Sequence, residues 1–101
     1  MKAIKIEKFG GPEVLELKDI EIGKPGPKEV LVKNNSIGLN YIDVYHRTGL
    51  YPLELPSGIG LEASGVVEEI GAEVSHFKVG DRVSHASAPI SGYSEKQIMP
   101  Q

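Results

Sequence analysis

The sequence predicts a small, mainly β, barrel-like domain with one short helix. Three observations carry that prediction: short stretches in which apolar and polar residues alternate with period two, connections dense in Gly and Pro, and one segment between glycines that fits a helical turn. With 101 residues, 40% of them hydrophobic, there is room for one core and one domain at most.

Taken in order, Ile4 and Ile6 alternate with Lys5 and Glu7, the pattern of a half-buried strand. Phe9-Gly10-Gly11-Pro12 is a turn by composition, and Val14 to Ile22, mixing Leu15 and Leu17 with Glu16 and Lys18, reads as a second strand paired back on the first. Gly23 to Lys28 holds two prolines within three residues, which breaks a sheet ladder. Glu29 to Ile37 is the clearest strand, β-branched at its start. A short helix is expected from Asn40 or Tyr41 through Arg47, ended by Gly49. Ser64 to Ile70 is a strand, residues 71–78 a surface connection, and Val79 to Val83 a turn into another strand. Gly92 to Met99 reads as one more.

Composition excludes several classes of function. The net charge of -3, with both signs interspersed, offers no basic stripe for nucleic acid and no polybasic run for a membrane surface. Without cysteine there is neither a disulfide framework nor a thiolate metal site. The N-terminus lacks the apolar run of a signal peptide, and no segment is long and apolar enough to span a bilayer, so a cytoplasmic protein is the expectation.

Two Gly-, Pro- and Tyr-rich segments, Gly38 to Pro52 and Pro56 to Val67, lie between strand candidates, where functional side chains tend to collect. Gly58-Ile59-Gly60-Leu61-Glu62-Ala63 satisfies the letter of the G-x-G-x-x-G/A dinucleotide fingerprint. That fingerprint needs a strand before it and a helix after it, whereas Pro56-Ser57 precedes and a β-branched run follows, so the segment is read as a turn-rich loop. His46, His76 and His85 show no metal or nucleophile spacing and are read as surface or loop histidines.

Four motifs in order, Phe9-Gly10-Gly11-Pro12-Glu13-Val14-Leu15, the two segments above and Lys78-Val79-Gly80-Asp81-Arg82-Val83, resemble the zinc-free quinone oxidoreductases of the zeta-crystallin type, within the medium-chain dehydrogenase/reductase superfamily. The resemblance implies a partly open GroES-like (chaperonin-10-like) β-barrel forming the catalytic domain. It implies transfer of reducing equivalents from NADPH to a quinone or similar small acceptor without zinc, and a homodimer. Family members continue into a Rossmann domain, so residues 1–101 correspond to an incomplete N-terminal catalytic domain. This chain alone is expected neither to bind NADPH tightly nor to turn over.

Zinc-binding alcohol dehydrogenases of the same superfamily place a cysteine where Asn40 stands and a histidine where Leu61 stands. A neutral amide is a poor zinc ligand and Leu61 has no donor atom, so no metal is expected. By resemblance, Asn40 and Tyr45 line the cleft near the nicotinamide end of NADPH. An amide and a phenol can hydrogen-bond a ribose or a carbonyl, but the same two residues also suit a helix cap and a packed aromatic. Tyr41, Asp43, Arg47, Tyr51 and Glu62 are expected around that cleft, with Asp43, Arg47 and Glu62 as a charged group that positions the loop. No residue is assigned a catalytic role. The rival reading is a stand-alone barrel that acts as a structural or interaction module and covers its sheet edges by self-association.

Overall fold

The computed structural model describes all 101 residues as two antiparallel sheets that wrap around each other without closing. Strands β1 (Lys2–Ile6), β2 (Glu16–Asp19) and β4 (Ser57–Gly58) form the smaller sheet in the order β2-β1-β4. Strands β3 (Glu29–Gly38), β5 (Glu62–Ile70), β6 (Arg82–His85) and β7 (Lys96–Pro100) form the larger, in the order β6-β5-β3-β7. One helix, α1 (Tyr41–Thr48), leaves the end of β3. No helix is long and apolar enough to cross a membrane.

β3 is the spine. It pairs with β5 from Val30↔Ile70 to Gly38↔Glu62 and with β7 from Glu29↔Pro100 to Lys33↔Lys96, with bulges against β5 between Leu31 and Val32 and between Asn34 and Ser36. Bulges bend a strand and sharpen its twist, which turns the far half of β3 toward the helix. At Gly65, opposite Asn34 at the second bulge, a Cβ would lie 1.9 Å from the Lys33 carbonyl oxygen, so only glycine permits this close approach of the two strands.

Two apolar clusters fill the interior. Val30, Val32, Val67 and Met99 form the larger, with Val74, Phe77 and Val83 packed on it. Ile6, Val14 and Ile59 form the smaller, flanked by Ile4, Phe9, Leu55 and Tyr93.

The structure trims two expected strands and adds one. The stretch from Val14 becomes a 3-10 turn over Pro12–Val14 followed by the short β2, because Val14 points into the smaller cluster rather than along a ladder. The last strand starts at Lys96 and not Gly92, since the Gly92 and Tyr93 amides are spent on the carbonyls of Gly60 (2.9 Å) and Ile59 (3.0 Å). β4 is a two-residue pairing with β1 that has no room for an alternation signal. The histidine reading is also corrected for two residues: His46 is buried on α1 and His85 is half-buried at the end of β6, while His76 is exposed.

Candidate functional site

The helix starts where Gly38 and Leu39 end β3, with Asn40 at its N-cap in extended conformation and Gly49 closing it at φ 87°. Asp43, three residues into the helix, accepts the Asn40 amide N–H through Oδ2 at 3.1 Å, while the Asp43 N–H donates to the Asn40 carbonyl at 3.0 Å. This reciprocal pairing fixes the first turn. At the other end, the Arg47 carbonyl accepts the Gly10 N–H at 3.0 Å and the Tyr45 carbonyl accepts the Tyr51 N–H at 3.2 Å, so the Phe9–Pro12 turn and the segment after Gly49 hold the helix by its backbone.

The side chain of Asn40 does not cap the helix. Its Nδ2 donates to Glu62 Oε1 at 2.8 Å. Glu62 pairs with Gly38 across the β3–β5 ladder, and its carboxylate lies over Gly38, where a Cβ would come within 2.5 Å of Oε1. The missing side chain at Gly38 lets Glu62 reach Asn40. A carboxylate offers only acceptors, so it selects the nitrogen end of the amide and leaves Oδ1 of Asn40 free as an acceptor.

Tyr41, Tyr45 and Tyr51 make one aromatic surface. The Tyr45 ring is 5.8 Å from Tyr41, tilted by 47°, and 5.4 Å from Tyr51 in an edge-to-face arrangement at 79°. Tyr45 is half-buried, whereas Leu39, Tyr41 and Leu50 are exposed by 82%, 77% and 63%. These residues leave apolar side chains open to solvent around one helix, the kind of surface at which ligands and protein partners are commonly bound.

Of the expected charged group, the structure brings Asp43 and Glu62 together through Asn40 and leaves Arg47 apart. Arg47 forms no ion pair with either, and its Nε is buried without a partner. Asp43 is instead paired with Tyr93, whose hydroxyl donates to Oδ2. Burial first, and then the bond to Asp43, push the Tyr93 phenol far above the usual phenol range, so it stays a donor. Tyr93 has no local signal in the sequence, because its partner is fifty residues away.

The glycines of the fingerprint-like segment are there for packing. Gly60, at φ 99°, lies where a Cβ would sit 2.5 Å from the Tyr93 ring, and at Gly58 it would sit 2.6 Å from the Ile90 carbonyl. A strand, β5, follows them in place of the helix that a pyrophosphate would need.

Two sheets that form a partly open barrel, with one short helix beside them, make the architecture of a GroES-like domain. The alcohol dehydrogenase GroES-like domain model matches residues 26–98, and the chain belongs to that family. It is 52% identical over 101 residues to the quinone oxidoreductase of Pseudomonas aeruginosa, a match that covers 99% of this chain and 31% of that protein. Over 92 residues it is 47% identical to quinone oxidoreductase 1 of Escherichia coli, covering 90% and 28%. Among solved structures, the Escherichia coli quinone oxidoreductase complexed with NADPH superposes with a TM-score of 0.96 at 42% identity, over 99% of this chain and 31% of that one. A 2-haloacrylate reductase does so with a TM-score of 0.88 at 39% identity, over 99% and 29%. The chain thus spans less than a third of the length of these relatives.

Proposed function

We propose that residues 1–101 form the N-terminal, catalytic-domain portion of a cytoplasmic, zinc-independent, homodimeric NADPH-dependent quinone oxidoreductase, and supply one wall of its cleft. The observation that carries this reading is the Asn40–Glu62 hydrogen bond. It leaves the acceptor oxygen of Asn40 unspent on a residue adjacent in the chain to the exposed Tyr41, which suits the polar edge of a nicotinamide riboside next to a planar, apolar acceptor.

The residues present fit the nicotinamide end of the cofactor only. Asn40 offers Oδ1 to a hydroxyl or amide donor, and Tyr45 offers a phenol above a packed ring. The chain has no glycine-rich turn leading into a helix that would receive the pyrophosphate. NADPH, when bound, supplies the reducing equivalents. The work of this wall is to hold the acceptor against the apolar surface that Tyr41, Tyr45 and Tyr51 make, to orient the reacting faces, and to exclude water.

The test is NADPH-dependent quinone reduction by the full-length protein that carries this segment, with Asn40→Ser as the variant. Serine keeps a good helix N-cap but removes the amide, so kcat/KM is expected to fall by about tenfold or more with little loss of thermal stability. A full-length protein that reduces no quinone would overturn the reading. Turnover by the 101-residue chain alone would overturn the claim that it is one wall only.

A further inference from the structure

We infer that Tyr93 is a positioning residue of this site: its hydroxyl holds the buried Asp43 carboxylate, which holds the first turn of α1 and so fixes where Asn40 presents its amide. The inference rests on the reading of Asn40 as a cofactor contact. It starts from an oddity of the helix. The most buried side chains of α1 are not apolar but Asp43 and His46, 3% and 7% exposed. Carboxylates are almost never this buried unless paired, so directional bonds and not an apolar stripe decide how this helix sits.

Asp43 has few such bonds. Its Oδ2 accepts from the Tyr93 hydroxyl and from the Asn40 N–H, while its Oδ1 is buried with no partner in the protein. Arg47, one turn along the same helix, lines the same small cavity of about 60 Å³ as Asp43 and Tyr93, yet no ion pair joins it to Asp43. Tyr93 is therefore the one side chain that anchors the carboxylate, and it acts on the very oxygen that holds Asn40.

Tyr93 itself is immobilised by the barrel. Its N–H donates to the Ile59 carbonyl at 3.0 Å, its carbonyl accepts the Ile4 N–H at 2.8 Å, and its ring packs on the Ile6, Val14 and Ile59 cluster, in the space that Gly60 leaves. The chain of contacts runs from β1 and the turn after β4 through Tyr93 and Asp43 to the Asn40 backbone, and Glu62 holds the Asn40 side chain from the other side. Without the hydroxyl, Asp43 would keep one bond and a buried, undersatisfied charge. It would turn toward another donor, the Arg47 Nε being at hand, and release Asn40.

The test uses the full-length protein and Tyr93→Phe, which removes one oxygen and keeps the ring. The expected result is a roughly tenfold lower kcat/KM for quinone reduction and weaker NADPH binding, as a small displacement of a positioning group produces. In the cofactor-free protein, faster amide hydrogen exchange confined to residues 38–48 is expected. Adding Tyr93→Phe to Asn40→Ser should cost nothing further, because both act through one contact; losses that multiply would give Tyr93 a separate role and overturn the inference. A variant that melts lower but keeps kcat/KM, NADPH affinity and the exchange pattern would make the hydroxyl merely structural, and overturn it too. If Asn40→Ser is impaired and Tyr93→Phe is not, this inference alone fails; if Asn40→Ser is itself silent, the reading of the site fails and takes the inference with it. Should Tyr93→Phe not fold, Asp43→Asn keeps the shape and an acceptor while weakening both bonds, and should show the same pattern at smaller size. Unchanged exchange over 38–48 in that variant would refute the proposal.

Discussion

The two apolar clusters of this domain are of similar size but hold the structure in different ways. The larger, built on Val30, Val32, Val67 and Met99, lies under a four-stranded sheet whose central strands are hydrogen-bonded on both edges. The smaller, built on Ile6, Val14 and Ile59, lies under a sheet with one two-residue strand, and it carries the helix through a phenol and a carboxylate. Apolar burial is strong and non-directional, whereas a hydrogen bond is weak in net terms and fixes an angle. The first region thus supplies stability and the second supplies position, and the proposed site belongs to the second.

The larger sheet is most vulnerable at Gly65. Gly65→Ala places a methyl group against the Lys33 carbonyl, where backbone and not a flexible side chain would have to yield, and it is expected to cost about 3 kcal/mol, toward the top of the range for overpacking. Chemical denaturation should show one midpoint shifted for the whole protein. A shift of only a few tenths would mean that the bulged ladder has slack. A smaller change sharpens the contrast. Ile59→Val deletes one methylene under Tyr93 and should cost about 1 kcal/mol, with faster hydrogen exchange in α1 and β4 and unchanged protection in β3 and β5. Uniform acceleration across both sheets would show a single cooperative unit instead of two regions.

This division also explains what the sequence discloses. Strands of the larger sheet advertise themselves: β3 starts with the buried run Val30-Leu31-Val32, β-branched at its two valines, and β5 buries every second residue at Ala63, Gly65 and Val67. The helix was legible too, through Asn40 before it, Asp43 in its first turn and Gly49 after it. Around the smaller cluster no such local pattern exists: Val14 turns inward from a 3-10 turn, β4 is two residues long, and Gly92 and Tyr93 bond to Gly60 and Ile59 rather than continue a strand. Those features depend on partners far along the chain, and no local period records them. Asn40, Tyr45 and Glu62 could be proposed from family resemblance. That Arg47 stands apart while Tyr93 joins Asp43 could be read only once the chain was folded.

The smallest expected effect concerns the tolerance of the larger cluster for charge. His85 ends β6 and is the sole titratable side chain lining a cavity of about 140 Å³ whose other walls include Val30, Val32, Phe77 and Met99. Both of its ring nitrogens are buried without partners, and burial holds the imidazole below the usual value of 6.5. In this case the unfolded chain takes up a proton more readily than the folded one. Stability is therefore full above about pH 6.5 and is lost as pH falls from there toward the depressed folded value. His85→Gln removes the titration and keeps a polar side chain, so the fall in the denaturation midpoint between about pH 7.5 and pH 5.5 should be shallower in the variant than in the parent. Equal slopes in the two proteins would mean that the imidazole finds water when it charges, and that the larger cluster is open at its β6 edge.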